Sequence, residues 1–391
     1  ASRNYVYANI AAYEAMVVGD QRFNSLAGQI KHLPALPKFD TVNVDFPLAS
    51  LLAFYKVGEA FTFPEGSMQD NVDALKHLVD SMGMPEEMMA ASQAFADSVA
   101  AHIIKWSKGD NYAQTRSAPK FSVSNEDGRW VPTPPGYAQA VEPHWMKIRT
   151  LVLDSCSQFR CPLPPKYDMV NKKDFYNAMM EVKTIGDSLT EEEKHIADFW
   201  DDNPYKLNVS GHVMFATKKF SPPGHWMNIV GIASQKSNAD FGNTVCAYTE
   251  TAIALFDGFI GCWDEKFRTN VIRPESVINK HIDPMWRPYI QTPPFPSYPS
   301  GHSVISNAAA EVMTSLYGDN LSFTDTSLLE FGIKSRTIES FRKAASEAGM
   351  SRLYGGIHYR FDIDKGNEQG KMIGTQIVQR LKMRKQNTAQ K

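Results

Sequence analysis

Three short segments in the last third of the chain carry most of its distinctive chemistry, and the fold must bring them together. They are Lys266-Phe-Arg-Thr-Asn-Val-Ile-Arg273-Pro274, then Pro299-Ser300-Gly301-His302, then Ser351-Arg352-Leu-Tyr-Gly-Gly356-Ile-His358-Tyr-Arg-Phe-Asp362. Between them they supply three fixed cations, a hydroxyl and a backbone N–H beside a helix start, and two imidazoles. That set suits a pocket for a tetrahedral oxyanion.

The rest of the chain must supply a scaffold. Its 391 residues, 43% hydrophobic and 21% charged, are those of an ordinary globular protein. A net charge of −2 leaves no global field for nucleic acid or an anionic membrane surface, so any anion site must be local. No apolar run of about 18 residues stands out, so no membrane-spanning helix is expected. The opening Ala1-Ser-Arg-Asn carries no initiator Met. A removed leader, and with it a secreted or periplasmic setting, is the expectation. Four Cys are too few for a disulfide scaffold. Cys156 and Cys161 are the expected pair if one bond forms, and Cys246 and Cys262 read as buried thiols. Neither Cys-x-x-Cys nor His-Glu-x-x-His occurs, which argues against zinc.

Apolar spacing predicts helices over most of the length. They include Asn4 to Val18, Phe46 to Phe61, Val72 to Met82 behind a Ser67 cap, and a long helix from Pro85 to near Gly109. From Asp110 to about Pro165 the composition turns to Ser, Pro and Gly, where a strand or hairpin is the most that is expected. Helices resume at Phe175 to Ile185 and, behind a Thr190-Glu-Glu-Glu193 capping box, run on to Trp200. Ser221-Pro-Pro-Gly-His225 opens another, Thr244 to Trp263 ends just before the first motif, and Val304 to Leu316 and Thr337 to Ala348 follow. Ten or more helices with almost no strand predict an all-α fold of packed bundles. The chain reads as a single domain over 1–391, with a helical half at 1–200 and the site-bearing half at 201–391.

Lys266 and Arg273 are seven residues apart, so on one helix they would share a face, with Pro274 ending it. The Pro-rich approach from Phe295 turns through Gly301 into a helix whose N-terminus favours an anion, with Ser300 adding a hydroxyl. Gly355 and Gly356 form a tight passage between Arg352, suited to a bidentate grip, and His358. Asp362, four residues on, is placed to fix the His358 tautomer.

In this order, Lys-x6-Arg-Pro, Pro-Ser-Gly-His and Ser-Arg-x3-Gly-x-His-x3-Asp resemble the tripartite signature of the type 2 phosphatidic acid phosphatase and vanadium-dependent haloperoxidase superfamily. The motif positions are filled without a departure. The resemblance covers about a quarter of the chain and implies an all-helical fold of two four-helix bundles. Its site would bind phosphate or the phosphate analogue vanadate.

Two reaction classes follow from the resemblance. In the phosphatase branch His358 is a nucleophile and His302 protonates the leaving group. In the haloperoxidase branch His358 coordinates vanadium, while Lys266, Arg273, Ser300, Gly301, His302 and Arg352 bind the oxyanion. Lys266 there also polarises bound peroxide, and His302 assists peroxide binding and protonation. A third class, a protein that merely sequesters phosphate, would have neither activity. The length and the helical first half resemble haloperoxidases, and the bacterial vanadium-dependent iodoperoxidases resemble the chain at Trp263 and Phe295. Trp263, Phe295 and Tyr205 are the expected aromatic rim on the halide side, with hydrogen peroxide and iodide as substrates. Nucleic acid and membrane are not expected as partners, and the chain is expected to be a monomer.

Overall fold

The computed structural model describes residues 1–203, 207–210, 213–216 and 221–385. The first half contributes α1 (Ser2–Gly19), α2 (Phe46–Phe61), α3 (Gln69–Ser81), α4 (Glu86–Ser107) and the short α5 (Tyr112–Arg116), then α6 (Asp174–Gly186) and α7 (Glu191–Phe199). The strands β1 (Leu207–Ser210) and β2 (Val213–Ala216) form an antiparallel pair before α8 (Pro222–Lys236), α9 (Phe241–Thr269), α10 (Pro274–His281) and α11 (Gly301–Tyr317). A second antiparallel pair, β3 (Phe323–Asp325) and β4 (Arg336–Ile338), leads into α12 (Phe341–Tyr354) and α13 (Arg360–Arg380). The all-α expectation holds, since strand is confined to these two small hairpins among the described residues.

Local chemistry explains many of the helix starts. The Asp45 carboxylate accepts from Leu48 N–H at 2.8 Å to open α2, and Thr190 and Glu193 form the expected capping box on α7. Ser221 caps α8 ahead of Pro222, a residue that suits the first helical turn. Other expectations shift. Met68, rather than Ser67, precedes α3 without a side-chain cap, and Pro85 precedes α4 as its N-cap. Residues 110–165 hold α5 and a single 3-10 turn at Trp145–Lys147 instead of a hairpin. Thr337 lies in β4, so the helix begins only at Phe341, and it runs through Gly349 to Tyr354, carrying Arg352 on its last turn.

α9 organises the packing. One four-helix group is α1, α2, α4 and α9, and the other is α9, α11, α12 and α13, so the two expected bundles share this helix. Their principal core is continuous, with residues from Val6 to Met383. The helix corrects one expectation: Phe241–Thr269 is long and apolar enough to span a bilayer, but 89% of its apolar window is buried inside the protein. All four cysteines are free, which removes the Cys156–Cys161 pairing, while Cys246 and Cys262 are buried as expected.

α13 meets α11 almost backbone to backbone. Gly366, Gly370 and Gly374 recur every fourth residue on the contacting face. A Cβ at Gly366 would lie 2.9 Å from the Ser300 carbonyl, one at Gly374 2.6 Å from the Ala308 carbonyl, and one at Gly370 would collide with the Val304 carbonyl. This close approach sets the N-termini of α11 and α13, and so the second and third motifs, side by side.

Candidate active site

α9 does not stop before the first motif. It continues through Lys266 to Thr269 and ends at Asn270, whose left-handed backbone (φ 50°) turns the chain out of the helix. Arg273 therefore does not share a helix face with Lys266. It is the N-cap residue of α10, and Pro274 starts that helix instead of ending one. The two cations nonetheless converge, because Arg273 folds back over the loop that follows α10.

That loop is held by the cations themselves. Lys266 is fully buried, and its Nζ donates to the carbonyls of Pro296 (2.9 Å), Ser297 (2.9 Å) and Pro299 (2.6 Å). An ammonium has three protons, so every one is committed to the loop. Arg273 Nε donates to the Phe295 carbonyl at 2.8 Å, and its Nη1 donates to the Ile357 carbonyl at 2.8 Å. Phe295 lies between the two, its ring centroid 5.2 Å from Lys266 Nζ and 5.1 Å from Arg273 Cζ.

The third motif meets them at His358. Arg273 Nη1 also lies 3.0 Å from His358 Nε2, and Nδ1 lies 2.8 Å from Asp362 Oδ2. A guanidinium can only donate, so Nε2 is the acceptor and the proton sits on Nδ1, where it is given to Asp362. Asp362 is fixed in turn: its Oδ2 accepts from Ser297 Oγ at 2.5 Å, and its carbonyl accepts from Ser300 N–H at 2.9 Å. Ser300 caps α11, its hydroxyl accepting from Ser303 N–H at 3.3 Å.

Arg352 reaches the site from α12, with Nη2 donating to the Trp200 carbonyl and Nε to Ser351 Oγ at 2.9 Å. His302, on the first turn of α11, is half-buried, and the Trp200 carbonyl supports its protonated form. Gly301, His302, Arg352 and His358 line a cavity of about 1000 Å³, counting its open mouth, together with the apolar Trp145, Trp263 and Phe295. The Trp263 and Phe295 ring centroids are 5.0 Å apart. Tyr205 lies outside the described residues.

Residues 247–387 match the family of the VCPO second helical-bundle domain. The vanadium chloroperoxidase of Curvularia inaequalis is 26% identical over a match covering 33% of this chain and 29% of that protein's length. The crystal structure described as the first bacterial vanadium-dependent iodoperoxidase superposes with a TM-score of 0.92 at 43% identity, covering 99% of this chain and 92% of that one. This chain belongs to the vanadium-dependent haloperoxidase family. A holo-type bacterial vanadium-dependent chloroperoxidase, at 17% identity and a TM-score of 0.73 over 97% of this chain and 90% of its own, shares the haloperoxidase fold.

Vanadate is the cofactor this family implies, and the residues fit it. Arg273 Nη2 is a donor buried without a hydrogen-bond partner, a costly state that an anion's oxygen would relieve, and His302 Nε2 is likewise buried and unpartnered. Lys266 and Arg273 are both acted on by the Asp362 carboxylate, so two buried cations share one counter-charge. The Gly301 backbone faces Trp263 and Lys266, where a Cβ would fill the space within 4.0 Å of Lys266 Cε.

Burial governs the electrostatics of this haloperoxidase-family site. It lowers Lys266, and it lowers Arg273 and Arg352 to about 10. Burial likewise holds His302 and His358 well below the usual imidazole range, helped by Arg352 at His302 and by Arg273 at His358. It also raises Asp362, against the pull of Ser297 and the two cations. Both imidazoles are thus biased toward their neutral forms.

Sequence reasoning named all seven motif residues, and the structure brings them together: Gly301, His302, Arg352 and His358 line the cavity, while Lys266, Arg273 and Ser300 stand behind that lining. It missed Ser297, the Trp200 carbonyl and Asp202, which lines the cavity. Ser297 had one signal, its place between two prolines in the rigid approach to Ser300.

Proposed function

We propose that this protein is a vanadate-dependent haloperoxidase that uses hydrogen peroxide to oxidise iodide to hypoiodous acid. The arrangement that carries the reading is the His358 imidazole, its Nδ1 proton held by Asp362 and its Nε2 lone pair turned to the Arg273 guanidinium. A nitrogen presented in that way, beside the unpartnered buried donor Arg273 Nη2, suits a metal oxyanion. When bound, vanadate supplies a Lewis-acidic centre that activates hydrogen peroxide for attack by halide and keeps its own oxidation state.

His358 would be the vanadium ligand through Nε2. Arg273, Arg352, Ser300 and the Gly301 N–H would bind the oxyanion's oxygens. Lys266 pins the Pro296–Pro299 carbonyls and contributes charge from directly behind Gly301. His302, neutral and with Nε2 unpartnered, would accept and return the peroxide proton. Trp263 and Phe295 present an apolar, polarisable wall to the halide. Iodide loses less hydration than bromide on entering such a wall, and the 43% identity to a bacterial iodoperoxidase supports the same preference.

The test adds orthovanadate to metal-stripped protein and assays iodide, bromide and p-nitrophenyl phosphate in parallel. The expected result is vanadate-dependent halide oxidation with iodide well ahead of bromide. Phosphatase turnover without vanadate, and no halide oxidation with it, would reverse the assignment.

A further inference from the structure

We infer that His225 is a positioning residue for the oxyanion pocket: clamped between Asp202 and Asp325, it fixes the Trp200–Asp202 segment from which Arg352 and His302 take their aim. The inference rests on the oxyanion reading of the pocket but not on the halide.

His225 sits on the first turn of α8, fully buried, between Asp202 after α7 and Asp325 at the end of β3. Its Nδ1 is 2.8 Å from Asp202 Oδ2 and its Nε2 is 2.9 Å from Asp325 Oδ2. A neutral imidazole can donate through only one nitrogen, so two carboxylate partners require the doubly protonated ring. Burial opposes that charge, but Asp202 and Asp325 outweigh it and hold the ring up at about 10. Asp325 is itself anchored, and Asp202 reaches the site. Asp325 Oδ1 accepts from Ser327 N–H at 2.9 Å, and Asp202 lines the site cavity.

The clamp reaches the pocket through Trp200. Its ring stacks on His225 with centroids 4.6 Å apart and planes 26° apart, and its Nε1 donates to Glu347 at 2.9 Å. With the ring held on one side by a buried cation and on the other by a carboxylate, the Trp200 carbonyl has little freedom. That carbonyl is the acceptor for Arg352 Nη2 and the group that supports the charged form of His302. The Asp202 carboxylate, after that of Asp201, adds a negative charge that acts on Arg352. One imidazolium thereby ties α7, α8 and β3 to the residues of α11 and α12 that meet the anion.

The test uses wild type, His225→Gln and Asp325→Asn as full chains. Vanadate and inorganic phosphate affinities are measured on the metal-stripped proteins, and iodide kinetics at saturating vanadate. The clamp predicts that both variants lose at least tenfold in affinity for each oxyanion. It also predicts a kcat at least tenfold lower with little change in the peroxide KM, a split that loss of stability alone would not produce. Folded variants whose affinities and kcat stay within twofold of wild type would overturn it. Should both variants fail to fold, ¹⁵N spectra of wild type at pH 8.5 decide, since one imidazole must still carry protons on both ring nitrogens; its absence would overturn the clamp. If wild type binds vanadate and phosphate but oxidises no halide, the proposed function fails and the affinities still judge the clamp. If it binds neither oxyanion, both fail.

Discussion

His358 Nδ1 lies 2.8 Å from Asp362 Oδ2, one helical turn further along the chain, and the same carboxylate oxygen takes the Ser297 hydroxyl at 2.5 Å. The carboxylate thus holds the imidazole tautomer whose Nε2 carries the lone pair, which Arg273 Nη1 meets at 3.0 Å. Asp362→Ala is expected to weaken vanadate binding roughly 10–100-fold, the usual consequence of removing the partner of a ligating imidazole. Equilibrium titration with vanadate reads this out, and an affinity within twofold of wild type would remove Asp362 from the assembly.

The two histidines should separate in a metal analysis. His358→Ala removes the proposed vanadium ligand and is expected to abolish vanadium retention after dialysis. His302→Ala leaves the anion donors of Arg273 and Arg352 in place and is expected to keep some vanadium but lose most turnover. Equal retention in both variants would mean that the ligand and acid–base roles are wrongly divided.

Lys266 and Arg352 differ in what they hold, and stability distinguishes them. Lys266→Ala strands three carbonyls in the Pro296–Pro299 loop. Unsatisfied buried acceptors cost about 1–3 kcal/mol each, so the vanadate-free protein should melt markedly lower. Arg352→Ala is expected to act on binding: vanadate at 100 times its Kd should stabilise wild type by about 2.7 kcal/mol, and the variant should show little of that gain at the same concentration. Calorimetry of both variants with and without vanadate tests the contrast, which disappears if the two behave alike.

Phe295 touches both cations of the site and forms part of the apolar wall. Phe295→His introduces a hydrogen-bonding group there and is expected to change the iodide-to-bromide ratio of kcat/KM more than it changes vanadium content. An identical ratio in wild type and variant would make Phe295 a packing residue only.

His225 makes stability depend on pH with a definite sign. Its folded-state value is raised from 6.5 to about 10 by Asp202 and Asp325 against the opposing effect of burial, so its contribution is complete below about 6.5 and is lost as pH rises through about 10. The stability gap between wild type and His225→Gln should therefore be widest near pH 6 and narrow steadily toward pH 10. Chemical denaturation across that range gives the gap directly, and a gap that widened with pH would contradict the charged clamp.

The helices and the site's residue types were legible from the chain alone because both are written locally. Apolar residues three and four apart and caps such as Thr190 with Glu193 specify helices within a few residues, and His358 with Asp362 is an i, i+4 pair that any helix start brings together. The three motifs pointed to an oxyanion site because cations, a hydroxyl and a helix start are the residue types and features that bind one. What each donor is bonded to was decided only by tertiary structure. Lys266 spends its protons on a loop more than 29 residues away, Arg273 lies off the helix that was expected to carry it, and Arg352 takes its direction from the carbonyl of Trp200, 152 residues earlier. Backbone acceptors carry no residue identity, so no local pattern announces which of them will face a given cation. The spacing of Gly366, Gly370 and Gly374 is visible in the chain, but only the docked helices show that it lets α13 reach α11 and close the site.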